Sequence, residues 1–151
     1  MKNKEYLAKI LPHKEPMILI DDVLEYSIEE KWLKSCVTIT EDSMFYDKDI
    51  NGVDSVVGIE YMAQTIGCYA FLKNPKEKPL IGYLLGTRIY NNSAEKFEAG
   101  KTYFILVKEV FAAEIFSFEC LIYNENDEEI ANATVNVYQE DDEDIKDFVN
   151  G

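Results

Sequence analysis

The sequence predicts an α+β fold in which one long central helix is wrapped by a curved antiparallel sheet, in a chain that forms a dimer. Three observations carry this reading. Val56 to Lys73 (VVGIEYMAQTIGCYAFLK) is the one long stretch with apolar residues at helical spacing, through Ile59, Met62, Ala63, Ile66 and Ala70. That stretch is apolar almost all round, so it has to be buried on several faces at once. The segments after it alternate with a period of two, as strands do, and the economical way to bury the helix is to curl an antiparallel sheet around it. A sheet of that kind ends in an open edge that a second copy can pair with.

Each element has its own signal. Lys2 to Leu11 predicts a short helix stopped by Pro12. Met17 to Tyr26 is extended in character, and Lys31 to Thr40 sets Leu33, Val37 and Ile39 on one face of a strand. Glu41 to Asp54, rich in Asp and carrying Gly52, predicts a loop. The helix follows, spanning about 27 Å at 1.5 Å per residue, and Asn74 and Pro75 end it. Leu80 to Tyr90 is a strand broken by two glycines and the candidate dimer edge. Thr102 to Ala112 is rich in β-formers. Ile115 to Tyr123 puts Phe116, Phe118, Cys120 and Ile122 on one face, and Ile130 to Tyr138 does the same with Ala131, Ala133, Val135 and Val137. Asn124 to Asp127 between them is a hairpin turn.

The 151 residues fit one domain, over residues 1–139, with an acidic tail at 140–151. The tail's EDDEDIKD run holds six acids and one Lys, and reads either as solvated chain or as a docking segment for a basic partner. With 15 Lys and Arg against 29 Asp and Glu, the net charge of −14 argues against nucleic acid and against an anionic membrane surface as the main partner. The apolar runs are of strand length, and the charged N-terminus lacks a signal peptide's apolar core, which predicts a cytoplasmic protein. Cys36, Cys68 and Cys120 are isolated, so they read as reduced, buried thiols and not as a zinc site. No cofactor is expected: one histidine and scattered cysteines cannot assemble a metal cluster, and no Gly-rich phosphate loop is present.

The residue that stands out chemically is Glu60, in the first turns of the apolar helix. Burial there would favour its protonated form and suit it to general acid work; the alternative is an exposed carboxylate stabilised by the helix dipole. Gln64, one turn later on the same face, is placed to orient it. The helix start also offers N–H groups that can polarise a carbonyl oxygen, and Gly58 would let a ligand approach that backbone closely. His13, between two prolines, is either a base or a hydrogen-bonding residue of a turn.

The run LPHKEPMILIDDVL (Leu11 to Leu24) resembles the opening of the hot-dog-fold 3-hydroxyacyl-ACP dehydratases of fatty acid synthesis. GIEYMAQ (Gly58 to Gln64) resembles their helix motif, and Gly86 to Arg88 followed by Phe97, Ala99 and Gly100 resembles their later strand pair. The string VVGIEYMAQ…IGYLLGTR…NVYQ is most similar to a divergent subgroup linked to aryl-polyene synthesis. The resemblance implies a mechanism in which a His removes the C2 proton of a 3-hydroxyacyl thioester. A carboxyl group on the central helix then protonates the departing hydroxyl, helix-start N–H groups hold the thioester carbonyl, and the His and the acid come from opposite subunits. The acid maps onto Glu60 and the carbonyl site onto Ser55, Val57 and Gly58. The His would fall at Tyr46, fourteen residues before Glu60, and the family's Pro-Gly before the helix becomes Asp54-Ser55. A phenol with a pKa of about 10 is a poor base at pH 7, and His13 matches a non-catalytic His of the family.

Four functions follow from the resemblance. They are an active dehydratase using Tyr46 or His13 as its base; a partner subunit that lends Glu60 to a complete dehydratase; an acyl-ACP or acyl-CoA thioesterase; and a non-catalytic acyl-carrier-binding module. The partner is accordingly an acyl-ACP or acyl-CoA thioester, with the chain in a homodimer or in a heterodimer with a related dehydratase. An acidic carrier protein would need a local positive patch, for which Lys73, Lys76, Lys78 and Arg88 are the candidates.

Overall fold

The computed structural model describes residues 4–11, 17–75, 81–113 and 115–140. A short helix α1 (Lys4–Ile10) is followed by strands β1 (Asp22–Ser27) and β2 (Trp32–Thr38). Two very short strands come next, β3 (Tyr46–Asp47) and β4 (Gly52–Asp54), then a 3₁₀ turn (Ser55–Val57) that runs into the long helix α2 (Gly58–Lys73). The rest is β5 (Ile81–Asn92), β6 (Lys96–Glu98), β7 (Thr102–Ala112), β8 (Phe116–Tyr123) and β9 (Glu129–Glu140). Six strands form one antiparallel sheet in the order β1-β2-β7-β8-β9-β5, and β3, β4 and β6 form a second, small one. β9 includes Glu140, the first residue of the predicted tail; 141–151 lie outside the described residues.

The large sheet turns one face to α2, and the alternation read from the sequence is the alternation of burial. Leu33, Val37 and Ile39 are buried from β2 and just beyond it, as are Phe118, Cys120 and Ile122 from β8 and Ala131, Ala133 and Val135 from β9. The helix is more one-sided than its composition suggests. Its buried side is Tyr61, Met62, Thr65, Ile66, Cys68 and Tyr69, with Gly58 and Gln64, whereas Ile59, Ala63 and Ala70 are only half-buried. The reason is that the sheet covers one flank of α2, so the apolar residues of the other flank have no strand above them. Tyr69 stacks edge-on against Phe118 at 5.7 Å between ring centroids, and Tyr61 leans on Phe97 at 5.3 Å.

Polar groups on the buried side find partners within the fold. Thr65 donates its hydroxyl to the Tyr61 carbonyl at 2.7 Å and shares a 2.7 Å hydrogen bond with Ser35 of β2. At the far end of α2, the Lys73 ammonium donates to both carboxylate oxygens of Glu109, at 2.9 and 3.0 Å. Glu109 itself is 4% exposed.

The segment 41–54, predicted as a loop, contains two strands, and β6 was not foreseen. Their lengths of two or three residues are too short to show a period. What defines them is cross-chain pairing: Tyr46 with Val53, and Gly52 and Val53 with Glu98 and Phe97. Gly52 makes the second pairing possible, since a Cβ there would collide with the Phe97 carbonyl. At the sheet ends, among the described strands, β1 pairs only with β2 and β5 only with β9, so β5 leaves an edge open, as the reading of Leu80 to Tyr90 anticipated.

The Lys73–Glu109 pair generates a stability test. Lys73→Met leaves a buried carboxylate without its cation and is expected to cost about 1–3 kcal/mol in urea unfolding. Lys73→Met combined with Glu109→Leu should recover most of that loss, because removing both partners abolishes the desolvation penalty.

Candidate active site

Glu60 lies in the first turn of α2 and is half-buried, between the two alternatives the sequence offered. Gln64, one turn on, donates from Nε2 to a Glu60 carboxylate oxygen at 3.2 Å, as the spacing anticipated. It also does something the spacing could not show. Fully buried, it accepts the Leu19 N–H on Oε1 at 2.9 Å and donates to the Met17 carbonyl at 2.8 Å. Gln64 thus straps the chain ahead of β1 onto the helix and holds Glu60 with the same amide. His13 falls in the 12–16 segment just before that strap, outside the described residues.

Tyr46 sits elsewhere. Its hydroxyl donates to Asn51 Oδ1 at 2.7 Å across the β3–β4 turn. The turn that presents it is closed by the Tyr46 N–H on the Ser43 carbonyl, 3.0 Å, and puts Phe45 in the left-handed region with φ 71°. Such a conformation costs a non-glycine residue roughly 1–2 kcal/mol. Tyr46 lines a cleft of about 320 Å³ with Leu19, Val37, Phe45 and Tyr61 among its walls and Glu41 and Asp42 at its side. Tyr61 reaches this cleft, but its neighbour Glu60 does not line it. One chain therefore does not bring the two residues together there.

The helix start is built around a glycine that its neighbours crowd. Gly58 is buried, and a Cβ on it would collide with the Tyr90 hydroxyl and come within 3.1 Å of Phe97 and Ile122 side-chain atoms. Tyr90 donates to the Ser55 carbonyl at 2.5 Å. Burial first, and the Asp54 carboxylate second, push its phenol up to about 12. The nearby N–H groups have acceptors within the chain. Ser55 donates to the Glu95 carbonyl at 3.1 Å, Val56 to Asp54 Oδ1 at 2.9 Å, and Gly58 to the carbonyls of Ser55 and Val56. Val57 is half-buried in the same turn. Asp54 is a standard N-cap residue ahead of a helix, so the sequence held the signal for this cap. The role of Tyr90 had none, because its contact with Gly58 spans 32 positions.

The remaining candidates are less reactive than their residue types suggest. Cys36, Cys68 and Cys120 are free and isolated. Burial drives Cys36 up to about 11 and Cys120 to about 12, and raises Cys68 further, so none is a thiolate near neutral pH. No group of three or more potential metal ligands occurs among the described residues, and no helix among them is long and apolar enough to cross a membrane. Lys73 is neutralised by Glu109, while Lys76, Lys78 and the Arg88 side chain lie outside the described residues.

A long helix packed against an antiparallel sheet is the hot-dog fold, and the first turn of that helix carries Glu60. The chain belongs to the ApeP-like family, described as ApeP dehydratase, whose sequence model matches residues 5–150. It is 32% identical over 78 residues to the 3-hydroxyacyl-[acyl-carrier-protein] dehydratase FabZ of Erwinia tasmaniensis, covering 50% of this chain and 51% of that protein. FabZ of Francisella tularensis subspecies novicida is 24% identical over 103 residues, covering 66% and 56%. The chain thus spans about half the length of the curated relatives it matches. Among solved structures, the dehydratase heterocomplex ApeI:P from Xenorhabdus doucetiae contains a chain with a TM-score of 0.84 at 26% identity, covering 96% of this chain and 97% of that one. A hypothetical thioesterase with coenzyme A from Streptococcus pneumoniae gives 0.63 at 10% identity, covering 79% and 84%, a likeness of fold alone.

The strap yields a prediction. Gln64→Leu keeps the volume but strands the Leu19 N–H and the Met17 carbonyl, so unfolding should become easier by about 1–3 kcal/mol for each group left unpaired. Hydrogen exchange at the Leu19 amide should speed up in parallel, which locates the loss at the strap.

Proposed function

We propose that this chain is the acid-bearing half of a two-subunit dehydratase acting on 3-hydroxyacyl thioesters, with Glu60 as the general acid. The observation that carries the reading is that Tyr46, at the position the family resemblance gives to the base, donates its phenol proton to Asn51, while Glu60 is held by Gln64 on α2. The position that the family resemblance assigns to the base thus carries a group that donates protons better than it accepts them. A partner supplying an imidazole across the open edge of β5 completes the pair. The ApeI:P structure, a heterocomplex of dehydratase chains, supports that arrangement by its likeness to this chain.

The chemistry then balances in two proton transfers. The partner's imidazole takes the C2 proton, and the C2–H electron pair becomes the C2=C3 double bond as the C3–O bond breaks. Glu60, protonated at the outset, gives its proton to the departing oxygen, which leaves as water. The imidazolium and the Glu60 carboxylate are then reset by a net proton transfer through solvent. The carrier is an acyl-ACP or acyl-CoA thioester, and fatty acid or polyene synthesis is the class of pathway that consumes the enoyl product.

The test compares the purified chain alone, the chain mixed with a His-containing dehydratase homologue, and the same mixture carrying Glu60→Gln. Enoyl product should form in the mixture and fall by about 10²-fold or more with Glu60→Gln, the scale of general acid–base catalysis. The chain alone should turn over weakly or not at all, and Tyr46→His should raise that activity. Robust turnover by the chain alone would refute the two-subunit reading. Release of the free acid in place of the enoyl thioester would make the protein a thioesterase.

A further inference from the structure

The end of the β7–β8 hairpin keeps large apolar side chains in water. Val110 is 48% exposed, Phe111 59% and Ile115 43%. Single exposed apolar residues are ordinary on a surface, but three at one hairpin end call for a partner. A bulge between Glu109 and Phe111 leaves Val110 out of the ladder.

The chain returns to this place after β9. Phe111 stands opposite Ser117 of β8, and Ser117 opposite Asn136 of β9, so the three share one row across the sheet. The Ser117 hydroxyl donates to Asn136 Oδ1 at 2.7 Å along that row. β9 then runs on to Glu140, which pairs with Ile81. With about 4.8 Å between neighbouring strands, Phe111 lies only about 10 Å from the line of β9. Eleven residues follow, DDEDIKDFVNG. At 1.5 Å per residue even a helical segment of that length spans about 16 Å, and an extended one about twice as much, so either reaches the patch. Its pattern also fits. Ile145, Phe148 and Val149 have the spacing of one side of a helical turn, with Glu143 and Asp147 on the other. The family's sequence model matches through residue 150, so this segment is part of what the family shares.

We propose that the C-terminal segment 141–151 is the cover of this patch: Ile145, Phe148 and Val149 pack on Val110, Phe111 and Ile115 while the acids stay in water. A segment joined to β9 meets the patch at an effective concentration on the order of millimolar, ahead of a free partner. The contact is apolar, so salt that screens charges does not release it. Covering the hairpin end keeps it from joining other chains. The inference is independent of the roles given to Glu60 and Tyr46.

The experiment compares the full 151-residue chain, a chain ending at Glu140, and the variants Phe148→Ser and Phe111→Ser, each at low and high sodium chloride. In the full chain, nuclear Overhauser contacts should join the Phe148 ring to Phe111 and Ile115 at every protein concentration and at both salts. Phe148→Ser, or removal of the segment, should raise binding of an apolar fluorescent dye by about ten-fold, the order that uncovering one large apolar side chain is worth. Phe111→Ser should shift the amide signals of 141–151 to those of the isolated peptide. The point variants read the contact even if truncation upsets β9. Equal dye binding by full and truncated chains, with no contact from Phe148, would refute the cover. Contacts that fade on dilution would assign the patch to a second copy and refute it as well. So would contacts that form only with an added basic protein and vanish at high salt, which would make the segment a docking element for that protein.

Discussion

The covering of α2 by one sheet sets the terms for the rest of the molecule. A helix with that many apolar residues cannot stay in water, and burying a single large side chain is worth roughly 1.5–3 kcal/mol. Yet the sheet reaches only one flank. Among the described residues, the buried strand positions are apolar or, like Ser35 and Glu109, matched to a polar group on the helix. The outer flank, with Ile59, Ala63 and Ala70, keeps apolar surface that the single chain leaves half-covered. Among the described strands, the open edge of β5 is a place where the sheet can be extended.

The small sheet of β3, β4 and β6 has a different task. It adds Val53 and Phe97 to the core, and it holds or leads into the segments of both candidate residues. β3 presents Tyr46, and β4 delivers the chain into the 3₁₀ turn and the first turn of α2, where Glu60 sits. Gly52 lets β4 press against Phe97, and Gly58 lets the helix start press against Tyr90. Both glycines sit where a Cβ would collide with the frame. The consequence is a helix start held by backbone contacts, the Tyr90–Ser55 hydrogen bond and the Asp54 cap on the Val56 N–H.

Charge follows the same division. A net charge of −14 sits on a protein whose candidate acid must hold a proton to act, and the described lysine nearest the helix end is spent on Glu109. An acidic carrier protein thus finds no free cation at Lys73. The acidic walls of the Tyr46 cleft, Glu41 and Asp42, make that side of the molecule an unfavourable place for a phosphate-bearing ligand.

The sequence by itself determined the α+β class, the end of α2 at Lys73 (its start lies at Gly58, two residues after the predicted Val56, because Ser55–Val57 form a 3₁₀ turn), and the inward faces of β2, β8 and β9. Each depends on a local period or a local stop signal, and a linear pattern records both. It also placed Gln64 beside Glu60, since residues four apart on a helix are neighbours. Tertiary structure decided the rest. Only the fold showed that Gln64 straps Met17 and Leu19, that the space before Gly58 is filled by Tyr90, and that the Tyr46 hydroxyl is bonded to Asn51 in a cleft whose lining includes Tyr61 and not Glu60. The physical reason is separation along the chain: these contacts join residues 32 to 47 positions apart or depend on strands of two and three residues, and no periodicity can carry information across such distances.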